Sequence, residues 1–395
     1  MGSGLFLNLF IGFKYGTALL GVFNQSLAYY VICSTLFAMG LNNTLVKKIS
    51  EKSRTTNDEK KLFTANLVTT LIISSTLSSI LLFTIHFFPN LLASDDLLKT
   101  LPILLLALPL FSINKNFGAY YSGNRKQRNF ALQRIYRWGG LSILFYFGNL
   151  NAYSIIELMN SFLIIEGSLV ALNIALNIKH FNFNFSTKLI SESIRFGMGS
   201  YVSEITSSFN SSIDIILVAY FLSDQEAGQY SFIAFLVRTL YVFPGILMQN
   251  ISPIISNHWI KKTITELNLI LINIRQINLI ALTLQFLGLL LFYNIVIINF
   301  KDGFENTFGA FVTALIGSFL YAQIYWGGSV LIMTYKLKAN FYRTLLVLLI
   351  NITVCTLFTY AFGFIGGMLA ISLNGLFSFL LLKNFVYRKT GIRLI

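Results

Sequence analysis

Hydrophobic residues in this chain run in long blocks, separated by short polar and mostly cationic stretches. The blocks fall at about 4–14, 21–44, 62–88, 98–122, 131–149 and 155–178, then at 194–222, 229–256, 269–298, 307–334, 343–362 and 364–386. All but the first are long enough for a helix crossing the hydrocarbon, which needs about 20 apolar residues because unpaired backbone amides cannot be left there. The first block offers only Gly4–Phe13 before Lys14, so either a partial helix or a start placed too late explains it. The pattern predicts an all-α polytopic membrane protein of about 12 transmembrane helices with a shortened first one. A polar connection at 181–193, FNFNFSTKLISES, divides it into two sets of six: an N-terminal bundle at 1–180 and a C-terminal bundle at 194–395. The halves share a layout without strong sequence identity, so an internal repeat is an expectation from spacing.

Composition agrees. Of 395 residues 55% are hydrophobic and 11% charged, against about 25% charged in a soluble domain. A disordered chain and a disulfide scaffold are poor fits, and twelve spans leave too little chain for a soluble domain. The 29 Lys and Arg against 15 Asp and Glu give +14, which in a soluble protein would suggest nucleic acid. Here the cations report topology. Lys47, Lys48, Lys52, Arg54, Lys60 and Lys61 share one loop, and Arg125, Lys126, Arg128, Arg134 and Arg137 the next on that side. Lys179, Lys188 and Arg195 follow, then Lys261, Lys262 and Arg275, then Lys336, Lys338 and Arg343, and finally Lys383, Arg388, Lys389 and Arg393. The opposite side holds Lys14, Lys99 and Lys301. This 24-to-3 split of loop cations predicts that both termini and every basic loop are cytoplasmic. Nucleic acid is not needed to explain the charge.

Ionisable side chains inside a span cost about 2.5–3.5 kcal/mol on insertion scales, so each needs a partner or water. Lys115, Glu166, Glu204, Asp214 and Arg238 are such residues, while Arg275 can snorkel. In the seventh span Glu204, Ser207, Ser208, Ser211 and Asp214 fall within about a 120° arc, which reads either as a cavity lining or as interhelical glue. Arg238 and Gln249 share a face of the eighth span, where Pro244-Gly245 predicts a kink or hinge. Asp214 and Arg238 lie within about 3 Å in depth, so an ion pair and a substrate-facing role are both open. Lys115, beside Asn116, is either neutralised by Glu166 or faces an anionic ligand such as a phosphate. Gln323 and Trp326 could offer a sugar hydrogen bonds and an aromatic face, or serve as interface anchors. Cys33 and Cys355 read as packing, and His86, His180 and His258 as interfacial. No phosphate-binding loop, nucleophile elbow or metal-ligand spacing is present. No cofactor, metal or enzymatic activity is expected.

Three stretches carry a family resemblance. GVFNQSLAYYVICSTLFAMGLNNTLVKKISE (21–51) resembles the second helix and following loop of bacterial O-antigen and polysaccharide flippases. RFGMGSYVSEITSSFNSSIDIILVAYFLSDQEAGQYSFIAFL (195–236), continuing to FPGILMQNISPIIS (243–256), is similar to their seventh and eighth helices, with Asp214, a Gly228-Gln229-Tyr230-Ser231 turn and Pro253 in place. GFIGGMLAISLNGLFSFLLLKNFVYRKTGI (363–392) matches the end. The resemblance implies a multidrug-and-toxin-extrusion-like fold, with two six-helix bundles around a central cavity that opens alternately inward and outward. The implied cargo is an undecaprenyl-pyrophosphate-linked oligosaccharide, an O-antigen or capsule repeat unit of lipopolysaccharide or polysaccharide biosynthesis. It would be flipped from the cytoplasmic to the periplasmic leaflet of the bacterial inner membrane. Lys115 and Arg238 would then meet the anionic head, Asn116, Ser207, Ser211, Gln249, Gln323 and Trp326 the polar glycan, and Glu166, Glu204 or Asp214 a coupling ion. A monomer functionally associated with a polysaccharide polymerase and a chain-length regulator is expected. The rival within the fold is an ion-coupled multidrug antiporter, which would want an acidic pocket. A membrane glycosyltransferase would want a catalytic cluster or a large loop.

Overall fold

The computed structural model describes residues 2–50, 56–92, 94–184, 186–299, 304 and 306–394. Lys52, Arg54 and Lys301, all counted above as loop cations, lie outside the described residues. The described residues form helices and no strand. In chain order these are α1 (Gly2–Tyr15), α2 (Thr17–Ala38), α3 (Leu41–Ser50), α4 (Thr56–Phe87), α5 (Asp95–Gly123), α6 (Gln127–Leu150) and α7 (Ile155–Asn177). They continue with α8 (Thr187–Phe221), α9 (Asp224–Arg238), α10 (Val242–Ile260), α11 (Ile264–Asn299), α12 (Phe308–Ala322), α13 (Val330–Met333) and α14 (Leu337–Thr390). Each expected apolar block is helical, which makes this an all-α multi-pass membrane protein.

The blocks differ from the helices in places that have local causes. The second block is cut at Met39-Gly40, where φ is +44° and +70°; α3 then runs on with Leu41, Leu45 and Ile49 buried. The basic stretch after it, read as a loop, is thus partly an amphipathic helix whose Lys47 and Lys48 reach over the Phe196 ring. The Gly228–Ser231 turn is instead part of α9, which starts four residues earlier behind a capping box: Ser223 Oγ accepts from the Glu226 N–H and Glu226 reaches back to Ser223. Ser154 and Glu157 start α7 the same way.

The kink expected at Pro244-Gly245 is displaced. The break is a 3₁₀ turn at Thr239–Tyr241, and Pro244 is the third residue of α10. A proline has no N–H to give the carbonyl four residues back, here Leu240, and its ring crowds that carbonyl. The helix therefore yields upstream of the proline, and Gly245 is ordinary helix interior. Another break bends Phe308–Ala322 from Tyr325–Met333 by 49°. In α14 Gly363 takes φ +57°, ψ −138° and parts the last two expected spans, a conformation closed to other residues without strain.

Contacts divide the chain into two compact units, 1–15 with 22–212, and 16–21 with 213–395. The division falls within α8, whereas the sequence pattern places it at 181–193. In the first unit α5 packs against α3, α4 and α7, and Pro102 and Pro109 remain inside it without breaking it. Gly40 and Gly197 bring α3 and α8 together: a β-carbon on Gly197 would stand 2.7 Å from the Met39 carbonyl oxygen. In the second unit α12 packs along α14. Ile251, Ile255, Leu267, Leu271, Trp326, Leu382 and Val386 form a buried core of the same unit. The apolar windows of α4, α11 and α14 are only 22% buried. Their bare side chains, such as Phe83, Leu284 and Tyr360, suit lipid, which exerts no hydrophobic drive to cover them.

Candidate functional site

In the first unit the polar chemistry radiates from one turn of α5. Successive side chains on a helix point about 100° apart, so Asn114, Lys115 and Asn116 serve three neighbours. Asn114 Nδ2 donates to the Glu166 carboxylate (2.7 Å) and to its carbonyl oxygen (3.0 Å) on α7. Asn116 Nδ2 donates to Thr70 Oγ1 on α4 at 2.6 Å. Lys115 Nζ donates to Ser34 Oγ on α2 at 3.4 Å and lies over the Phe111 ring, 5.5 Å from its centre.

Two expectations change here. Glu166 is not the partner of Lys115: it takes Arg137, with Nε to Oε1 at 2.5 Å and Nη2 to Oε2 at 3.1 Å. Arg137, counted among the loop cations, has folded inward along α6 and sits 4.5 Å over the other partner of Lys115, Phe111. Asn116 is 2% exposed and committed to α4, so it is a packing residue and not a ligand contact. Lys115 is left without a carboxylate partner among the described residues.

The stripe on α8 separates into contacts of different kinds. Glu204 accepts from Asn43 Nδ2 at 2.9 Å and Asn42 Nδ2 at 3.4 Å. Ser208 shares a 2.7 Å hydrogen bond with Thr35. Ser207 and Ser211 are exposed. The interhelical reading thus holds for Glu204 and Ser208.

In the second unit Asp214 is 4% exposed. Its Oδ2 accepts from the Tyr230 hydroxyl at 2.9 Å and from Arg238 Nη2. The ion pair that the spacing allowed does form, and Oδ1 keeps no partner. Arg238 remains one-third exposed, and Gln249 on α10 is exposed. Trp326 is corrected: it is fully buried in the core and its indole N–H donates to the Gln323 carbonyl at 2.9 Å. A ring enclosed on both faces cannot stack on a sugar. The accessible rings nearby are tyrosines that the sequence pattern did not single out. Tyr241 stacks on Tyr325 at 5.1 Å, and Tyr321 meets Tyr325 edge-on at 5.5 Å. Tyr321 lies near the end of α12 and Tyr325 just past the break that follows it, so their edge-on contact spans the 49° bend.

Comparison with known proteins bears on the fold and the family. No curated protein gives a match. Among solved structures, an inward-facing multidrug resistance MATE family transporter of the MOP superfamily superposes with a TM-score of 0.84 at 13% identity, over 98% of this chain and 95% of that one. Lipid II flippase MurJ, in an inward closed conformation, gives 0.70 at 18% identity, over 95% and 86%. A MOP superfamily transporter from Pyrococcus furiosus, described as having a binding pocket of reversed polarity, gives 0.68 at 13%, over 98% and 94%. At these identities the likeness establishes the fold, which is the MATE-like fold expected from the sequence. The model of the polysaccharide biosynthesis protein family matches residues 11–259, well over half of the chain, and the chain belongs to that family.

Proposed function

We propose that this protein is a lipid-linked oligosaccharide flippase. It moves undecaprenyl-pyrophosphate-linked repeat units of an O-antigen or capsule from the cytoplasmic to the periplasmic leaflet of a bacterial inner membrane by alternating access. The observation that carries this is Lys115: a cation within a span, without a carboxylate partner, in a chain of the polysaccharide biosynthesis family. An ammonium held there suits the phosphates of a polar head, while the lipid tail stays in the bilayer. Each unit offers what a glycan needs: Ser207 and Ser211 offer hydrogen bonds in one, and Gln249 and the tyrosine rings a hydrogen bond and flat apolar faces in the other. The cation-antiporter alternative is disfavoured by the acids themselves. Glu166 and Asp214 are held by arginines and Glu204 by two amides, so none is a bare anion.

Deleting the gene is expected to abolish surface glycan and to leave lipid-linked repeat units on the cytoplasmic leaflet. Normal surface glycan after a clean deletion, in a strain without a second flippase, refutes the proposal. Loss of glycan without accumulation of the lipid-linked unit points instead to its synthesis.

A further inference from the structure

Arg343 is counted among the loop cations by the sequence pattern, yet it lies inside α14 and is 9% exposed. Its contacts are local and long: Nη2 donates to Asn340 Oδ1 at 3.3 Å and to Thr344 Oγ1 at 3.5 Å, both on its own helix. Its Nε is buried with no acceptor. None of the ion pairs among the described residues includes it. A guanidinium cannot shed its charge and carries five donors, so in a membrane-embedded unit this arrangement is costly until an anion arrives.

The surroundings indicate what that anion is attached to. α14 packs against the short helical turn Tyr325–Ser329, and the Arg343 charge reaches Tyr325, which stacks on Tyr241 and is met edge-on by Tyr321. All three tyrosines are half-buried. Gln323, two residues before Tyr325, has a buried side-chain Nε2 with no acceptor. Its backbone carbonyl is already used by Trp326 and Asn278. One unused donor thus belongs to a residue between two of these rings in sequence and the other to the helix packed against their segment, all within the unit containing 213–395.

We propose that Arg343, with Gln323 and the Tyr241–Tyr321–Tyr325 rings, is a binding site for an anionic oxygen group borne by a sugar-containing ligand. The guanidinium takes a phosphate or carboxylate through paired N–H donors, and the rings pack against the apolar face of a pyranose. The identity of the ligand as a glycan rests on the flippase proposal. The anion has two sources, the pyrophosphate of the carrier or a uronic acid of the glycan.

The full chain, purified in detergent, is titrated with two probes while tyrosine and tryptophan fluorescence is followed. One probe is a short isoprenyl pyrophosphate without sugar, the other a uronic-acid disaccharide without lipid. The wild type is expected to bind at least one: the first names the carrier as the source, the second the glycan. Arg343→Met should weaken that binding by about tenfold or more, the usual scale for a lost charge-assisted hydrogen bond. Gln323→Ala should weaken it less. The ligand-free Arg343→Met protein should melt no lower than wild type, because a buried charge without an internal partner has been removed. The proposal is overturned if neither probe binds the wild type, if Arg343→Met binds as well as wild type, or if that variant is less stable or fails to fold, which would make the guanidinium structural. Probe binding by a protein whose deletion leaves surface glycan intact would refute the flippase and leave the site standing.

Discussion

Phe111 has two cations against its ring, Lys115 and Arg137, and the two should respond to mutation in opposite ways. Arg137→Ala leaves Glu166, 1% exposed, as a buried carboxylate without a counter-ion, a change that costs about 3–5 kcal/mol. The expected outcome is a marked fall in thermal stability in detergent, and an unchanged melting curve would sink it. Lys115→Ala removes a charge that is in no ion pair among the described residues, with Glu204 acting on it only from a distance. It should leave folded protein at normal levels and reduce glycan export, with full complementation counting against a role in binding. The Asp214–Arg238 pair gives a third case. Asp214→Arg combined with Arg238→Asp should restore export if the pair only holds α8 to α9, and a folded but inactive double variant would assign Arg238 to the ligand. Of these residues the sequence separates Lys115, Asp214 and Arg238 well, since each sits mid-block where a charge stands out. Arg137 and Arg343 escape it because they lie at block edges. There a cation in a loop and one folded back into the bundle have the same pattern, and only the neighbouring helix decides.

At the scale of elements, hydrophobic blocks predict where helices are and say little about where they break. The cut at Met39-Gly40 and the shift of the kink to Thr239–Tyr241 depend on backbone geometry, although Pro244 itself signals that a carbonyl about four residues upstream must go unpaired. The capping boxes at Ser154–Glu157 and Ser223–Glu226 carry an S-x-x-E signature that a reading by hydrophobic blocks passes over. The α3–α8 approach has no such signature, since two single glycines do not announce that they face each other. Gly197→Leu should push those helices apart and lower stability by about 1–3 kcal/mol, the usual cost of overpacking. A variant as stable as wild type would show that the contact yields. The connection between α7 and α8 carries a titratable group, His180, whose ring lies 5.6 Å from that of Tyr120. Burial, and then the charges of Lys126 and Lys60, hold its imidazole below the ordinary value. The unfolded chain therefore takes up this proton first. Stability should be indifferent to this group above about pH 6.5 and fall as pH drops below it. His180→Gln should flatten that part of the stability profile, and an identical slope in wild type and variant would remove His180 as its source.

For the whole molecule, the prediction at stake is orientation. Among the described residues some of the cations behind it are drawn into the protein: Arg137 onto Glu166, Arg275 onto the Arg393 carbonyl, Arg343 inside α14. Discounting them leaves the asymmetry of the loops intact, because the opposite side has only Lys14, Lys99 and Lys301. The rule acts on residues near span ends while the chain inserts, before tertiary contacts form, so an arginine that later folds inward still counts during insertion. Lys126 and Ala152 flank α6, so the expected orientation puts them on opposite sides, the Lys126 end cytoplasmic. The native cysteines offer little background to a labelling test, since Cys33 and Cys355 are both buried. In intact cells with a permeable outer membrane, Ala152→Cys should react with a membrane-impermeant maleimide, whereas Lys126→Cys should react only after the inner membrane is opened. Labelling in the reverse order would invert the protein. The basic loops would then face the periplasm, and a cytoplasm-to-periplasm direction of flipping would have to be abandoned with them.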